Sequence, residues 1–177
     1  IYTGDRDSYQ LIGEHVSVCF TKRGVSDLIR LTKDNFTEHE GIEPWQVIEL
    51  KALMGDSSDN IPGVKGIGPK SALSLLQSYR DLDGVYAHLD ECSASLKTKL
   101  TEHEAEARLS KTLATIDTHV PLDISLENCM LRIPFPEEAR RSFAKLEFRS
   151  LVGSEYFPKE QAYKLTCHTC TSDEFND

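Results

Sequence analysis

The sequence predicts a mainly α fold with a small α/β part at its N-terminal end. Three observations predict it. Short apolar runs suited to strands lie within the first 31 residues, with one more near residue 130. From residue 69 onward, apolar residues recur at helical spacing in one segment after another, separated by short polar breaks. Between these regions a glycine-punctuated turn, residues 63–68, opens directly into a helix.

Ile1–Thr3 and Val16–Phe20 read as strands, with a helical turn over Ser8–Ile12 between them that ends at Gly13. Lys22-Arg23-Gly24 reads as a turn and Leu28–Leu31 as a third short strand. Thr32 is placed to cap a helix running to about Glu40, which Gly41 stops. Pro44 suits the first turn of a helix reaching Met54, with Trp45, Ile48 and Ala52 on one face. The next helix, Pro69–Tyr79, carries Ala72, Leu73, Leu75 and Leu76, and helices over Asp83–His88, Ser93–Glu102 and Glu104–Thr115 follow. Cys129–Ile133 reads as a strand, and Pro136–Phe148 as an amphipathic helix giving Phe143, Leu146 and Phe148 to the core. Beyond Phe157 the periodicity fades, and Thr166–Asp177 has the polarity of a tail or linker.

With 177 residues the chain fits one ordinary domain, or one and a part. No run of 18 apolar residues exists, so the sequence offers no membrane-spanning helix. The five cysteines are an odd number and scattered, which favours reduced thiols in a cytosolic protein over a disulfide framework. Cys167-His168-Thr169-Cys170 is half of a zinc or redox motif without a second half, and the histidines form no cluster. The chain opens inside Ile1-Tyr2-Thr3-Gly4-Asp5, which reads as the end of a strand already under way, so a fragment is expected.

A net charge of −9 argues against a protein that binds nucleic acid over its whole surface. The distribution is less uniform. From Ile61 to Arg80 there are three cations, Lys65, Lys70 and Arg80, and no acid, so phosphate contact would be local.

Two acidic pairs flank that window on its N-terminal side. Asp5 and Asp7 follow a strand end, where open α/β sheets place their sites. Asp56 and Asp59 follow a helix C-terminus, where the dipole disfavours carboxylates by up to ~1 kcal/mol, a placement that a bound cation would compensate. Carboxylate oxygens suit a hard ion such as Mg²⁺. Asp-rich turns often do no more than cap helices, but here two pairs adjoin a second chemical feature. In Pro62-Gly63-Val64-Lys65-Gly66-Ile67-Gly68-Pro69-Lys70, Gly66 and Gly68 permit a tight turn, and Val64 and Ile67 are placed to plug the core beneath it. The Gly66, Ile67 and Gly68 amides are then expected to face a phosphate, with Lys70 adding charge in the first helical turn. This is the helix-hairpin-helix pattern, and its contacts are blind to base sequence.

Thr-Gly-Asp-Arg-Asp, Ala-Leu-Met-Gly-Asp-Ser-Ser-Asp-Asn-Ile-Pro-Gly-Val and Gly-Ile-Gly-Pro-Lys together resemble the 5′ nuclease (flap endonuclease) family. The sequence is similar in particular to the 5′→3′ exonuclease domain of bacterial DNA polymerase I. The similarity runs on through Leu113-Ala114-Thr115-Ile116-Asp117-Thr118 and Lys145-Leu146-Glu147-Phe148, so it covers about residues 1 to 152. It implies three parts: a remnant of a PIN-like α/β nuclease core over 1–54, a helix–three-turn–helix (SAM-like) C-terminal domain over 55–152, and a tail over 153–177. By motif, Asp5, Asp7, Asp56 and Asp59 match metal-binding catalytic aspartates. Gly63, Lys65, Gly66, Ile67, Gly68, Lys70 and Ser71 fall on the DNA-gripping element. The implied cofactors are Mg²⁺ or Mn²⁺, two ions in the complete enzyme, with K⁺ at the hairpin. The implied partner is DNA with a single-strand/duplex junction (a 5′ flap, nick or RNA primer) in replication and repair, in a bacterial cytoplasm, with a polymerase domain attached in the parent protein.

Other parts of the family pattern lack a counterpart: an N-terminal aspartate, an acidic cluster on an earlier helix, and the basic arch over the flap. The expectation is therefore that this polypeptide alone is a weak or inactive nuclease. Arg6 stands where many relatives carry lysine, a change expected to be mild. Two further readings stay open: a non-catalytic, sequence-independent DNA-binding module with idle aspartates, and a protein-interaction domain.

Overall fold

The computed structural model describes residues 1–23 and 27–157. They fall into two compact units, Ile1–Val120 and Pro121–Asp177, the second described as far as residue 157. The fold is mostly helical with one small sheet among the described residues, as the sequence predicts.

The sheet holds β1 (Tyr2–Thr3), β2 (Val18–Arg23) and β3 (Asp27–Leu31) in that order. β1 pairs parallel to β2, with Tyr2 opposite Cys19, and β2 pairs antiparallel to β3, with Val18 opposite Leu31. A parallel pair requires a crossover, and the connection here includes a 3₁₀ turn over Arg6–Leu11. Lys22 and Arg23, read from sequence as a turn, instead prolong β2, because its ladder with β3 continues past Thr21. Gly24 lies outside the described residues.

Helix α1 (Lys33–Glu40) starts with the Thr32 N–H donating to Asn35 Oδ1 at 2.8 Å, and it leaves through Gly41 at φ 77°. A 3₁₀ turn over Pro44–Gln46 leads into α2 (Val47–Met54). Three residues per turn rather than 3.6 carry Trp45 off the expected core face. It is 39% exposed, with the Arg80 guanidinium 5.4 Å from its ring. Then come α3 (Pro69–Tyr79), α4 (Leu82–Ala87), α5 (Ala94–Glu102) and α6 (Glu104–Ala114).

Helix α2 is the common wall of two cores. Val47 joins Tyr9, Ile12, Val18, Leu31, Phe36 and Ile42 on the sheet side. Ala52 and Leu53 join Leu75, Leu76, Leu82, Val85, Leu100 and Ala107 on the helical side. Leu50 packs against both. Each fully buried leucine contributes roughly 1.5–3 kcal/mol, so α2 is held firmly and whatever its C-terminal end carries is well placed.

The second unit contains a 3₁₀ turn over Leu126–Cys129, α7 (Glu137–Lys145) and α8 (Arg149–Val152). The strand expected at Cys129–Ile133 does not form, since the second unit has no strand among its described residues to pair with it, and Met130, Leu131 and Ile133 stand exposed. Helix α7 ends at Lys145, short of Phe148, because the chain turns at Glu147 with φ 59°. Leu146 and Phe148 are consequently exposed rather than core. Phe143 does find partners, with its ring centroid 5.8 Å from those of both Phe148 and Phe157. Among the described residues no helix is long and apolar enough to cross a membrane. Cys167, Cys170 and the Thr166–Asp177 segment lie outside the described residues.

Candidate metal centre and phosphate cradle

Both parts of the site hang from the C-terminal end of α2. Gly55 ends the helix at φ 74°, and a Cβ there would lie 2.6 Å from the Ile61 carbonyl oxygen. Asp56 and Ile61 then exchange two backbone hydrogen bonds of 2.9 and 2.8 Å, closing a loop whose tip passes through left-handed Asn60. This loop presents Asp56 and Asp59. Asp7 reaches the same place from the 3₁₀ turn after β1, and one carboxylate oxygen from each of the three lies within 4.8 Å of the others.

The three aspartates border an open cavity of about 520 Å³, together with Asp5, Arg6, Lys51 and Ser58. Asp5 lies in the cavity wall but does other work. Its Oδ1 accepts the Asp7 N–H at 2.9 Å and so sets the turn that aims Asp7. Of the four aspartates singled out in the sequence, three converge and the fourth positions one of them.

No motif pointed to Lys51. Its side chain is 9% exposed, its Nζ donates to Asp7, and it lies 2.7 Å from Asp56 Oδ2 and 3.9 Å from Asp59 Oδ2. The available signal was a lysine set between Leu50 and Ala52 on a helix that is otherwise buried there. This ammonium, followed by the Ser58 hydroxyl, holds the Asp56 carboxyl down to about 2. The Ser58 N–H also donates to Asp56 Oδ1 at 2.9 Å. Three convergent carboxylates with no nitrogen or sulfur donor fit a hard divalent ion such as Mg²⁺ or Mn²⁺, which takes oxygen ligands.

The glycine turn is sewn to the same helix end. The Val64 N–H donates to the Leu53 carbonyl at 2.8 Å, using one of the acceptors a helix C-terminus leaves over. Val64 and Ile67 are buried in the helical core, as expected. Two expectations about the cradle need correction. Gly63 faces inward: its N–H donates to Ser110 Oγ at 2.9 Å, and a Cβ there would sit 2.2 Å from the Gly55 nitrogen. The Ile67 N–H does not face a ligand, because it donates to the Val64 carbonyl at 3.0 Å and closes the turn.

The cradle that remains consists of Gly66, Gly68 and the first turn of α3. Among the described residues the Gly66 and Gly68 N–H groups have no protein acceptor, and Lys70 and Ser71 stand where helical N–H groups lack acceptors. Lys65, Lys70 and Ser71 are exposed beside them. Helix α5 adds Lys99, whose Nζ donates to the Gly66 carbonyl at 3.1 Å. That contact spans 33 residues, and no local pattern marks it.

The family described as 5′-3′ exonuclease, C-terminal SAM fold, matches residues 42–137, just over half of the 177. The chain is 41% identical over 152 residues to DNA polymerase I of Streptococcus pneumoniae serotype 4, covering 85% of this chain and 17% of that one. It is 37% identical over 139 residues to a 5′-3′ exonuclease of Bacillus subtilis, covering 78% of this chain and 47% of that one. It therefore spans under a fifth of the polymerase and about half of the exonuclease. A solved complex of the bacteriophage T5 flap endonuclease with DNA and metal ions superposes with a TM-score of 0.55 at 23% identity, over 64% of this chain and 41% of that one. At that identity the likeness speaks to the fold.

Proposed function

The chain belongs to the 5′-3′ exonuclease family, and from that premise we propose that it supplies the metal-binding and duplex-gripping half of a structure-specific 5′→3′ exonuclease and flap endonuclease. The observation that carries the proposal is the convergence within 4.8 Å of Asp7, from the Arg6–Leu11 turn, with Asp56 and Asp59, whose loop shares its helix end with a turn of free amides. Phosphodiester hydrolysis needs those two capacities side by side.

In this reading Asp7, Asp56 and Asp59 hold Mg²⁺ or Mn²⁺, and Asp5 fixes the turn that aims Asp7. A divalent ion in such a site lowers the pKa of water and offsets charge on the leaving oxygen. The Gly66 and Gly68 amides, Lys65, Lys70 and Ser71 grip a phosphate of the duplex without reading its bases. A K⁺ ion at the turn would compete with the Lys99 ammonium at the Gly66 carbonyl or use other carbonyls. One carboxylate group of this kind is found among the described residues, whereas a two-metal centre needs more ligands. We therefore expect this chain by itself to hold DNA at a single-strand/duplex junction and to cleave it weakly or not at all. An attached polymerase domain, a role in replication and repair and a bacterial cytoplasmic location complete the proposal, and the pneumococcal relative supports them.

One observation favours the competing reading of a DNA-binding module with idle aspartates: Lys51 already neutralises part of the cluster. Asp56→Asn separates the two. If the cluster binds metal, Asp56→Asn loses Mn²⁺ binding and keeps duplex binding, or tightens it slightly by removing a negative charge. Unchanged Mn²⁺ binding would favour the idle-aspartate module.

A further inference from the structure

Lys51 has no part in the chemistry just described, yet it sits in the middle of it. Its ammonium contacts Asp7, lies 2.7 Å from Asp56 Oδ2 and 3.9 Å from Asp59 Oδ2, and so addresses all three groups that converge on the ion site. Its neighbours in the helix, Ala52 and Leu53, are fully buried, and these three aspartates are its ion-pair partners among the described residues.

We propose that Lys51 is a resident counter-ion of the metal centre, a cation that a divalent ion must displace from the carboxylates in order to bind. The proposal rests on reading Asp7, Asp56 and Asp59 as metal ligands. Three carboxylates drawn within 4.8 Å repel one another, and that repulsion acts directly between the 56–61 loop and the Arg6–Leu11 turn. The ammonium relieves it, so the loop and the turn can come together before any metal arrives. An oxygen engaged with the ammonium is not free to coordinate, so the same contact weakens metal binding. Lys51 also has somewhere to go. It borders the open cavity of about 520 Å³, and its flexible four-carbon stem lets the charge swing outward while the helix stays put. Lysine suits this task better than arginine, whose bidentate fork would grip a carboxylate harder. Lys51 is thus a positioning residue that sets the threshold for metal loading.

The test is Mn²⁺ binding to the whole chain, read from the paramagnetic resonance of free Mn²⁺, with melting temperatures in EDTA and in Mn²⁺. Wild type, Lys51→Met, Lys51→Gln and Asp56→Asn are compared. Both Lys51 variants are expected to bind Mn²⁺ about tenfold more tightly or better, as removal of a unit charge about 4 Å away implies. They should melt lower than wild type in EDTA and gain more on adding Mn²⁺. Using two substitutions keeps a folding defect in one from standing for the result. Affinity equal to or weaker than wild type in both variants overturns the counter-ion role. If Asp56→Asn abolishes Mn²⁺ binding while the Lys51 variants fail to tighten it, only the counter-ion proposal falls. If Asp56→Asn leaves wild-type binding unchanged, the carboxylates are not the metal site and the underlying reading falls with it.

Discussion

The three glycines of the hairpin differ sharply in what an added methyl group would meet, and alanine substitution should rank them. At Gly63 the new Cβ would lie 2.2 Å from Gly55 N and 2.6 Å from Gly55 Cα, at φ 62°. The two segments already touch backbone to backbone, since a Cβ on Gly55 would in turn meet the Ile61 carbonyl oxygen at 2.6 Å and the Pro62 carbonyl oxygen at 2.8 Å. The left-handed conformation costs about 1 kcal/mol, and backbone-on-backbone overlap raises the total for Gly63→Ala to roughly 4–5 kcal/mol or more, an exceptional loss for one methyl. At Gly66, φ is 83° but the obstacle is the far end of Lys99, 3.2 Å away and able to move. Adding about 1 kcal/mol for the lost Lys99 hydrogen bond gives roughly 2 kcal/mol for Gly66→Ala. At Gly68 nothing lies within 4 Å and φ is −100°, so Gly68→Ala is near neutral, the gain of about 0.5 kcal/mol from a stiffer unfolded chain being offset by alanine's poorer fit at the N-cap of α3. Urea unfolding followed by circular dichroism measures all three, with a constant m-value as the check on two-state behaviour. A Gly63→Ala protein within 1 kcal/mol of wild type, or an inverted ranking, would refute the packing described for the turn. Gly68→Ala should still lose duplex affinity if the amides grip a phosphate as proposed, because its methyl crowds the open space beside the free N–H groups.

Other outcomes follow from single contacts. Asp56 has its carboxyl held at about 2 against an ordinary 3.8, so its folded pKa lies below its unfolded one. That stability is complete above about pH 4, disappears as pH falls towards 2, and amounts to at most about 2.5 kcal/mol. Urea unfolding in EDTA should show this acid-side loss in wild type and not in Asp56→Asn. Lys70→Ala should weaken duplex binding and reduce the slope of log affinity against log salt by about 1, with no change in unfolding midpoint because Lys70 is exposed. Glu49 is almost fully buried, pairs with Lys111 Nζ at 2.6 Å and accepts the Leu82 N–H at 3.1 Å. Glu49→Ala therefore strands two partners and should cost about 3 kcal/mol, a fall in Tm of about 10 °C.

How much the sequence disclosed depended on whether the cause was local. Helix α3 ran from Pro69 to Tyr79 as read, because proline at its start and leucine spacing along its face are short-range signals. Gly41 and Thr32 bounded α1 for the same reason. Asp7, Asp56 and Asp59 were legible as residue types, but their meeting depends on a sheet and a helix packing through Leu50, which no spacing reveals. The inward turn of Gly63 was hidden because its partner, Ser110, is 47 residues away. Lys99 was hidden in the same way, by a contact made only through the packing of α5. The expected strand at Cys129–Ile133 had the right composition and no neighbour, since a strand's existence depends on what lies beside it. No motif in the sequence marks Lys51, because a lysine in an amphipathic helix ordinarily lies on its solvent face, and here the buried face needed the charge.

The most direct test of the whole account is the binding of a labelled 5′-flap duplex to the purified chain across a salt series, in Mg²⁺ and in EDTA, with products followed on the same samples. Binding is expected in both, steadily weaker as salt rises and in preference to single-stranded DNA, with little or no cleavage. No binding at low salt, or affinity indifferent to salt and to the duplex junction, would contradict it.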